Sequence, residues 1–101
     1  MTPRPIVEFS VVPVGTGSTS VSHYVRVAHD IVKQSGLDHQ LNPMGTCLQG
    51  DWDKIFATIR KVHDTLATMG CGRIVTTIKI DDRRDKDRPM QAKVDRVLKS
   101  D

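Results

Sequence analysis

A carboxylate occurs in the middle of the segment with the strongest strand character in this chain. Ile6 to Val14 is rich in β-branched and aromatic residues, and its period of two separates apolar from polar side chains. One face of the predicted strand carries Val7, Phe9 and Val11, and the other carries Ile6, Glu8, Ser10 and Val12. Burial of an ionised carboxylate is costly unless the group is paired or hydrogen-bonded. The face with Glu8 is therefore expected to be open to water, to meet a partner subunit or to hold a polar ligand.

A loop rich in glycine, serine and threonine follows this strand and precedes a helical pattern. Backbone N–H groups and the positive end of a helix dipole attract anions at such a junction. The loop is not a P-loop, since no Gly-Lys-Ser/Thr follows, and Ser20 replaces the last glycine of a G-x-G-x-x-G pattern. One interpretation is an anion-binding rim made of Gly15, Thr16, Gly17, Ser18 and Ser20. In the simpler interpretation, which we prefer, the loop is flexible and Ser18 or Ser20 caps the helix.

The histidines and cysteines do not follow a metal-binding pattern. Neither the H-x-x-x-H nor the H-E-x-x-H spacing occurs among the histidines, which are His23, His29, His39 and His63. His63 falls on the apolar stripe of a predicted helix, where a hydrogen-bonded core or interface histidine is expected. Cys47 and Cys71 belong to no C-x-x-C or Cys/His set and are predicted to be buried reduced thiols. We therefore predict no metal, no cofactor and no catalytic residue.

The composition indicates one small globular domain. The chain has 101 residues, of which 38% are hydrophobic and 27% are charged. No apolar run approaches the roughly 20 residues that span a bilayer, and the N-terminus lacks a signal-peptide core, so a cytoplasmic location is expected. The net charge of +3 is mild, and basic residues between 81 and 88 alternate with acidic ones. With few aromatic residues as well, the composition argues against nucleic-acid binding.

Three segments have helical patterns. A helical stripe between residues 21 and 35 ends at Gly36, and a second stripe between 52 and 66 follows Asp51, which can cap it. Pro89 suits the first turn of a short last helix. The inner stripe of that helix is predicted to be Met90, Val94, Val97 and Leu98.

The remaining strand patterns complete a recognisable order. Asn42-Pro43-Met44-Gly45 matches a type I turn between two short strands at 39–42 and 46–49, with one long bent strand as the alternative. Residues 73–80 form a further strand of high β-propensity. The order strand, helix, strand, strand, helix, strand predicts a single α+β domain over residues 1–101, ferredoxin-like, with a four-stranded antiparallel sheet.

The predicted architecture leaves one side of the sheet uncovered. We expect the first and last strands to be central and both main helices to pack on one face. A bare sheet face in so small a protein usually meets another copy of itself, so a homo-oligomer is expected. The charged run from Asp81 to Arg88 is then either a solvated loop or a source of salt bridges between subunits.

Three stretches of the chain resemble a known family, the thiamine-binding-protein family of small ferredoxin-like proteins. These stretches are Val7 to Pro13, Leu41 to Trp52 and Val75 to Asp85, and their order and spacing match over nearly the whole chain. The resemblance implies a homo-oligomer, commonly a tetramer built as a dimer of dimers. It also implies a small-molecule site that takes thiamine or its pyrimidine part in some members.

The resemblance also suggests roles for the polar residues on and near the predicted sheet. Glu8 would accept hydrogen bonds from an aminopyrimidine or face the thiazolium charge, and the loop after the first strand would form a rim for a phosphate. Hydrogen bonds would come from Ser10, Asn42, Thr46 and Thr77. A purely structural role for Glu8, through an ion pair with Lys79 or a bond across a dimer interface, remains the alternative.

Three classes of function stay open at this stage. We prefer a non-enzymatic, oligomeric small-molecule-binding protein whose ligand is thiamine or a related aminopyrimidine. The second class is a small hydrolase or isomerase that uses Glu8 as general base in a cleft between subunits. The third is a structural oligomer that binds no small molecule.

Overall fold

The structure, a computed structural model, describes residues 3–99. Its elements are β1 (Ile6–Pro13), α1 (Ser22–Ser35), β2 (Asp38–Asn42), β3 (Gly45–Gln49), α2 (Trp52–Thr68), β4 (Ile74–Asp81) and α3 (Met90–Lys99). This order confirms the predicted βαββαβ arrangement with an added C-terminal helix. Strands β2 and β3 form a hairpin in which Asn42 pairs with Gly45 across the turn. The alternative prediction of one long bent strand is therefore wrong.

The four strands form one antiparallel sheet in the order β2-β3-β1-β4. The prediction that the first and last strands are central is wrong, because β1 and β3 are central and β4 is an edge. A helix is about 10 Å wide whereas neighbouring strands are about 4.8 Å apart, so each helical crossover steps over one strand. Thus α1 leads from β1 past the position of β3 to β2, and α2 leads from β3 past β1 to β4.

The two main helices begin in different ways. The Asp51 side chain accepts a hydrogen bond from the Lys54 backbone N–H at 3.1 Å and caps α2, as predicted. No side chain caps α1, whose N-cap position is held by Val21, so the predicted cap by Ser18 or Ser20 is wrong. Those two serines bond within the loop instead, where the Ser20 N–H donates to Ser18 Oγ at 3.1 Å. Across residues 3–99, every helix falls short of the length and hydropathy of a membrane span.

The hydrophobic core lies between the sheet and the two helices α1 and α2. The apolar face of β1 supplies Val7, Phe9 and Val11, and β3 supplies Leu48. The helices and loops add Ala28, Ile31, Val32, Leu37, Ile55, Ile59, Val62, Leu66 and Cys71. Both main helices therefore cover one face, as predicted, and the other face, which we call the open face, carries Glu8.

The short helix α3 reaches one end of the open face. Gln49, which is only 2% exposed, donates from Nε2 to the Arg88 carbonyl at 2.6 Å and accepts at Oε1 from the Met90 N–H at 2.7 Å. The predicted inner stripe of α3 is wrong, since no residue of the helix is buried and Val97 is 74% exposed. Polar contacts at its N-terminal end orient this helix, and Val94 and Leu98 of its apolar stripe are 39% and 76% exposed.

Candidate functional site

A cavity of about 280 Å³ lies between β1, the β2–β3 hairpin and the N-terminal turns of α1. We call it the α1 cavity. Its apolar lining consists of Phe9, Val11, Val12, Val21, Val25, Ala28, Leu41, Pro43 and Met44, with Gly45 at the turn. Three polar residues also line it, namely Ser10, Asn42 and Thr46. An apolar concavity with a few polar groups is the usual character of a small-molecule site.

The cavity follows an unpaired edge of β1. The ladder between β1 and β3 ends at the pair Phe9–Thr46, whereas the ladder with β4 continues to Pro13–Ile74. Among the strands of residues 3–99, β1 therefore has no partner from Ser10 onward on the side facing away from β4. Backbone N–H and C=O groups are strong hydrogen-bonding groups, and a free strand edge presents them in alternation. The wall of the cavity can thus recognise a flat ligand that carries donors and acceptors along one edge.

Thr46 is the most constrained polar side chain of the cavity. It is 8% exposed and lies across the sheet from Phe9 on one side and Leu41 on the other. Within residues 3–99 its hydroxyl forms no hydrogen bond. The hydroxyl oxygen is not itself a fully buried atom, and a hydroxyl can both donate and accept hydrogen bonds. Thr46 is therefore well placed to bond a ligand in the cavity.

The N-terminal end of α1 borders the cavity through Val21 and Val25. Because no side chain caps this helix and its first turn contains no acidic residue, its first N–H groups and its positive dipole end are available to an anion. The predicted rim residues Gly15, Thr16, Gly17, Ser18 and Ser20 all lie in the loop that leads to Val21. None of them is among the residues that line the cavity, and Val21, which follows the loop, is the nearest residue in sequence that does.

Glu8 and its neighbours form a separate polar group on the open face. Glu8 pairs across the sheet with Cys47 on β3 and with Lys79 on β4. The Cys47 thiol donates to Glu8 Oε2 at 3.7 Å, and Asn42 Nδ2 donates to Cys47 Sγ at 3.4 Å. The proposed ion pair between Glu8 and Lys79 is not formed among the described residues. Thr77 lies opposite Ser10 on the same face.

This group is poorly suited to nucleophilic catalysis. Burial, and then the adjacent Glu8 carboxylate, raise the pKa of the Cys47 thiol above its ordinary value. Since the thiolate is the reactive form, a raised pKa makes Cys47 a weak nucleophile near neutral pH. Cys47 is half-buried and Cys71 is buried, so the prediction of two buried thiols is correct only for Cys71.

The predicted site residues therefore fall into two groups. Ser10, Asn42 and Thr46 line the α1 cavity, whereas Glu8 and Thr77 lie outside it on the open face, to which Asn42 is linked through its hydrogen bond to Cys47. Thr46 and Glu8 occupy opposite faces because Thr46 pairs with Phe9, one residue from Glu8, and side chains alternate along a strand. The unpaired edge of β1 was missed, although the unequal lengths of the predicted first and third strands already indicated it.

His29, His39 and His63 make contacts with other side chains of the described structure. His63 Nε2 is hydrogen-bonded to Thr76 Oγ1 between α2 and β4 at 2.5 Å, in agreement with the predicted bonded histidine. The rings of His29 and His39 meet edge to face with centroids 5.9 Å apart. In the part of the chain that the structure describes, no cluster of three His, Cys, Asp or Glu side chains has the geometry to hold a metal ion.

Comparison with known proteins gives consistent matches over almost the whole chain. The profile of a family described as thiamine-binding protein matches residues 7–98. A UPF0045 protein of Methanothermobacter thermautotrophicus is 40% identical over 91 residues, which are 89% of this chain and 92% of that relative.

Two solved structures extend the comparison to the fold. A hypothetical protein of Methanocaldococcus jannaschii superposes with a TM-score of 0.86 at 33% identity, over 98% of this chain and 100% of that one. A Thermotoga maritima protein, described as a candidate for thiamine biosynthesis or salvage, superposes with a TM-score of 0.80 over 94% and 99% of the two chains. At 19% identity, this second likeness shows a shared fold alone.

Proposed function

The chain belongs to the thiamine-binding protein family, and from this premise we propose that the protein binds thiamine or a related aminopyrimidine reversibly, without chemistry. The proposed site is the α1 cavity. The observation that carries the proposal is the position of Thr46, a residue only 8% exposed whose hydroxyl forms no hydrogen bond within residues 3–99, beside an unpaired strand edge. The family match supplies the class of ligand, and the cavity supplies a surface that fits it.

The chemistry of an aminopyrimidine complements this surface. Its ring is flat and apolar on both faces, which suits the valine and phenylalanine side chains of the lining. One edge of the ring presents an amino donor beside a nitrogen acceptor, the alternation that a free strand edge offers in return. Thr46, which can donate and accept, would bind a second position of the ring.

The electrostatics of α1 favour one orientation of the ligand. The positive end of its dipole repels a cation, so the thiazolium of thiamine is expected to point away from Val21 and past the hairpin. Conversely, a phosphate attached to the aminopyrimidine would be attracted to the Gly15 to Ser20 rim at the start of α1. Phosphorylated aminopyrimidines should therefore bind at least as tightly as the free base.

Calorimetric titration of thiamine into matched variants tests the site. Thr46→Val keeps the shape and removes the hydroxyl, and should weaken binding by about three- to tenfold, the value of one neutral hydrogen bond. Thr58→Val is the control, since Thr58 is 7% exposed but bonds the Lys54 carbonyl at 2.8 Å in α2. Glu8→Gln should bind like the wild type.

Other outcomes would refute parts of this proposal. If millimolar thiamine produces no binding heat with the wild type, thiamine is not the ligand. If the wild type and Thr46→Val bind thiamine with equal affinity, the Thr46 hydroxyl does not contact the ligand. A loss of tenfold or more in Glu8→Gln alone would transfer the ligand to the open face and to Glu8, as the sequence suggested.

We also propose that the protein is a homo-oligomer, a tetramer in preference to a dimer. The edge strand β4 has eight residues and, within residues 3–99, pairs with β1 alone, which leaves its outer hydrogen-bonding groups for another chain. Val75, Ile78 and Ile80 on this strand are 47%, 39% and 43% exposed, and the α3 stripe is exposed as well. A second copy would cover both surfaces. Light scattering that reports an 11.3 kDa particle at micromolar concentration would contradict this assembly.

A further inference from the structure

A second concavity, of about 460 Å³, lies at the opposite end of β1 from the α1 cavity. It is bounded by the start of β1, the end of β4, the segment after β4 and helix α3. Its cationic lining consists of Arg4, Arg83, Lys86, Arg88, Lys93 and Arg96, against the single carboxylate of Asp81. We call it the basic cleft. Six cations around one concavity are notable in a chain whose net charge is only +3.

Three of these cations already have carboxylate partners. Arg4 contacts Asp87 and Asp38 at 3.1 Å each, Arg83 contacts Asp85 at 2.7 Å, and Lys93 contacts Asp81 at 2.8 Å. The other three cations are Lys86, Arg88 and Arg96, and these form no ion pair within residues 3–99. Together with the four carboxylates that pair with them, Asp38, Asp81, Asp85 and Asp87, the six cations leave an excess of two positive charges around this concavity.

The wall of the cleft is held in place by buried contacts. The two bonds from the Gln49 amide to the Arg88 carbonyl and the Met90 N–H fix the backbone on both sides of Pro89. Arg4 adds a second anchor, because its backbone N–H and its guanidinium both donate to Asp87. The segment that carries Lys86 and Arg88 is therefore preorganised, which lowers the entropic cost of binding.

We propose that the basic cleft binds a small anion with a diphosphate group, either inorganic diphosphate or a diphosphate ester such as a nucleotide. Several cations that converge on one concavity match an anion with more than one phosphate, and arginine binds phosphate oxygens in a bidentate manner. Ile6 and Ala92 add an apolar floor for an organic group. This site is independent of the α1 cavity and of thiamine binding.

Titration of pyrophosphate and of ADP at low ionic strength tests the proposal. The double variant Arg88→Gln, Arg96→Gln should weaken binding of pyrophosphate roughly tenfold or more, because it removes two charge-assisted contacts. The matched control Arg60→Gln, Lys61→Gln removes the same charge from the exposed surface of α2 and should stay within about twofold of the wild type. Lys86→Gln, in an exposed loop, is a second variant that should fold normally and weaken binding.

The two probes also identify the source of the diphosphate. Tighter binding of ADP supports a nucleotide-like ester, and tighter binding of pyrophosphate supports the inorganic ion. No binding of either probe by the wild type would overturn the proposal, as would an equal loss in the control pair. A single-stranded oligonucleotide that binds the cleft more tightly than both probes would overturn it in favour of a nucleic-acid surface.

Discussion

The two ends of β1 carry concavities of opposite character. Near Ser10 the α1 cavity is lined by apolar side chains and neutral polar groups, whereas near Ile6 the basic cleft is lined by cations. The same strand therefore borders two kinds of surface, one apolar with neutral hydrogen-bonding groups and the other charged. The difference arises from what covers each end, since α1 packs against one and the polar α3 segment against the other.

Ionic strength should separate the two regions. Charges near a surface are screened over about 10 Å at 0.1 M salt, whereas neutral hydrogen bonds in an apolar cavity are screened little. Binding in the basic cleft should weaken steeply as salt rises, and thiamine binding in the α1 cavity should change little.

The largest expected effect comes from filling the α1 cavity. Val25 lines it and is 38% exposed, so Val25→Trp can place its ring in the cavity without disturbing the core. We expect thiamine binding to fall more than tenfold, which is about 1.4 kcal/mol, with binding of pyrophosphate unchanged. Met69→Trp, at a position 37% exposed beyond α2, is the control. Retained affinity in Val25→Trp would place the ligand elsewhere.

A smaller effect, at the other end of β1, is expected from Gln49→Leu. The substitution leaves the Arg88 carbonyl and the Met90 N–H unpaired and should reduce the free energy of unfolding by about 2 kcal/mol. Pyrophosphate binding should weaken because the wall loses its anchor, and thiamine binding should persist. Thermal unfolding and titration measure both, with Gln40→Leu on exposed β2 as control. If pyrophosphate still binds with wild-type affinity, Gln49 does not organise the cleft.

The smallest expected effect concerns the acid stability of the anchor at Asp87. Hydrogen bonds from the Arg4 backbone and guanidinium hold the pKa of Asp87 below its ordinary value. The ionised pair therefore stabilises the folded state fully above the pKa of an unfolded aspartate, near 3.9, and this contribution disappears as pH falls through the lower folded value. Unfolding curves of the wild type and Asp87→Asn should differ at pH 7 and converge in acid. A difference that persists unchanged in acid would mean that the Asp87 charge is not responsible.

The secondary structure was predictable because its signals are local. Asp51 caps α2, Gly36 ends α1 in the left-handed conformation, and the turn after Asn42 joins the hairpin, each as the residue types indicated. The order of the strands in the sheet was not predictable in this way, since it depends on how far each helix crosses over the sheet. The apolar stripe of α3 was misread for a related reason, because an amphipathic pattern does not say which chain supplies the partner surface.

The candidate site was predictable only in part. The polar residues were identified, but Thr46 and Glu8 were assigned to one site although the register of β1 and β3 places them on opposite faces. The alternation within β3 already carried this information, because Thr46 lies two residues before the buried Leu48 and therefore shares its face. The basic cleft was missed altogether, because its cations alternate with acids along the chain and come together around one concavity only in three dimensions.

Mapping of backbone amide shifts on addition of thiamine tests the central claim most directly. We predict that the perturbed amides cluster around the α1 cavity, in residues 9–12, 21–25 and 42–46. Amides at the end of β4 and in the charged segment 83–88 should stay unchanged. Absence of any perturbation at millimolar thiamine, or perturbations centred on Glu8 and Lys79 of the open face, would contradict the proposed site.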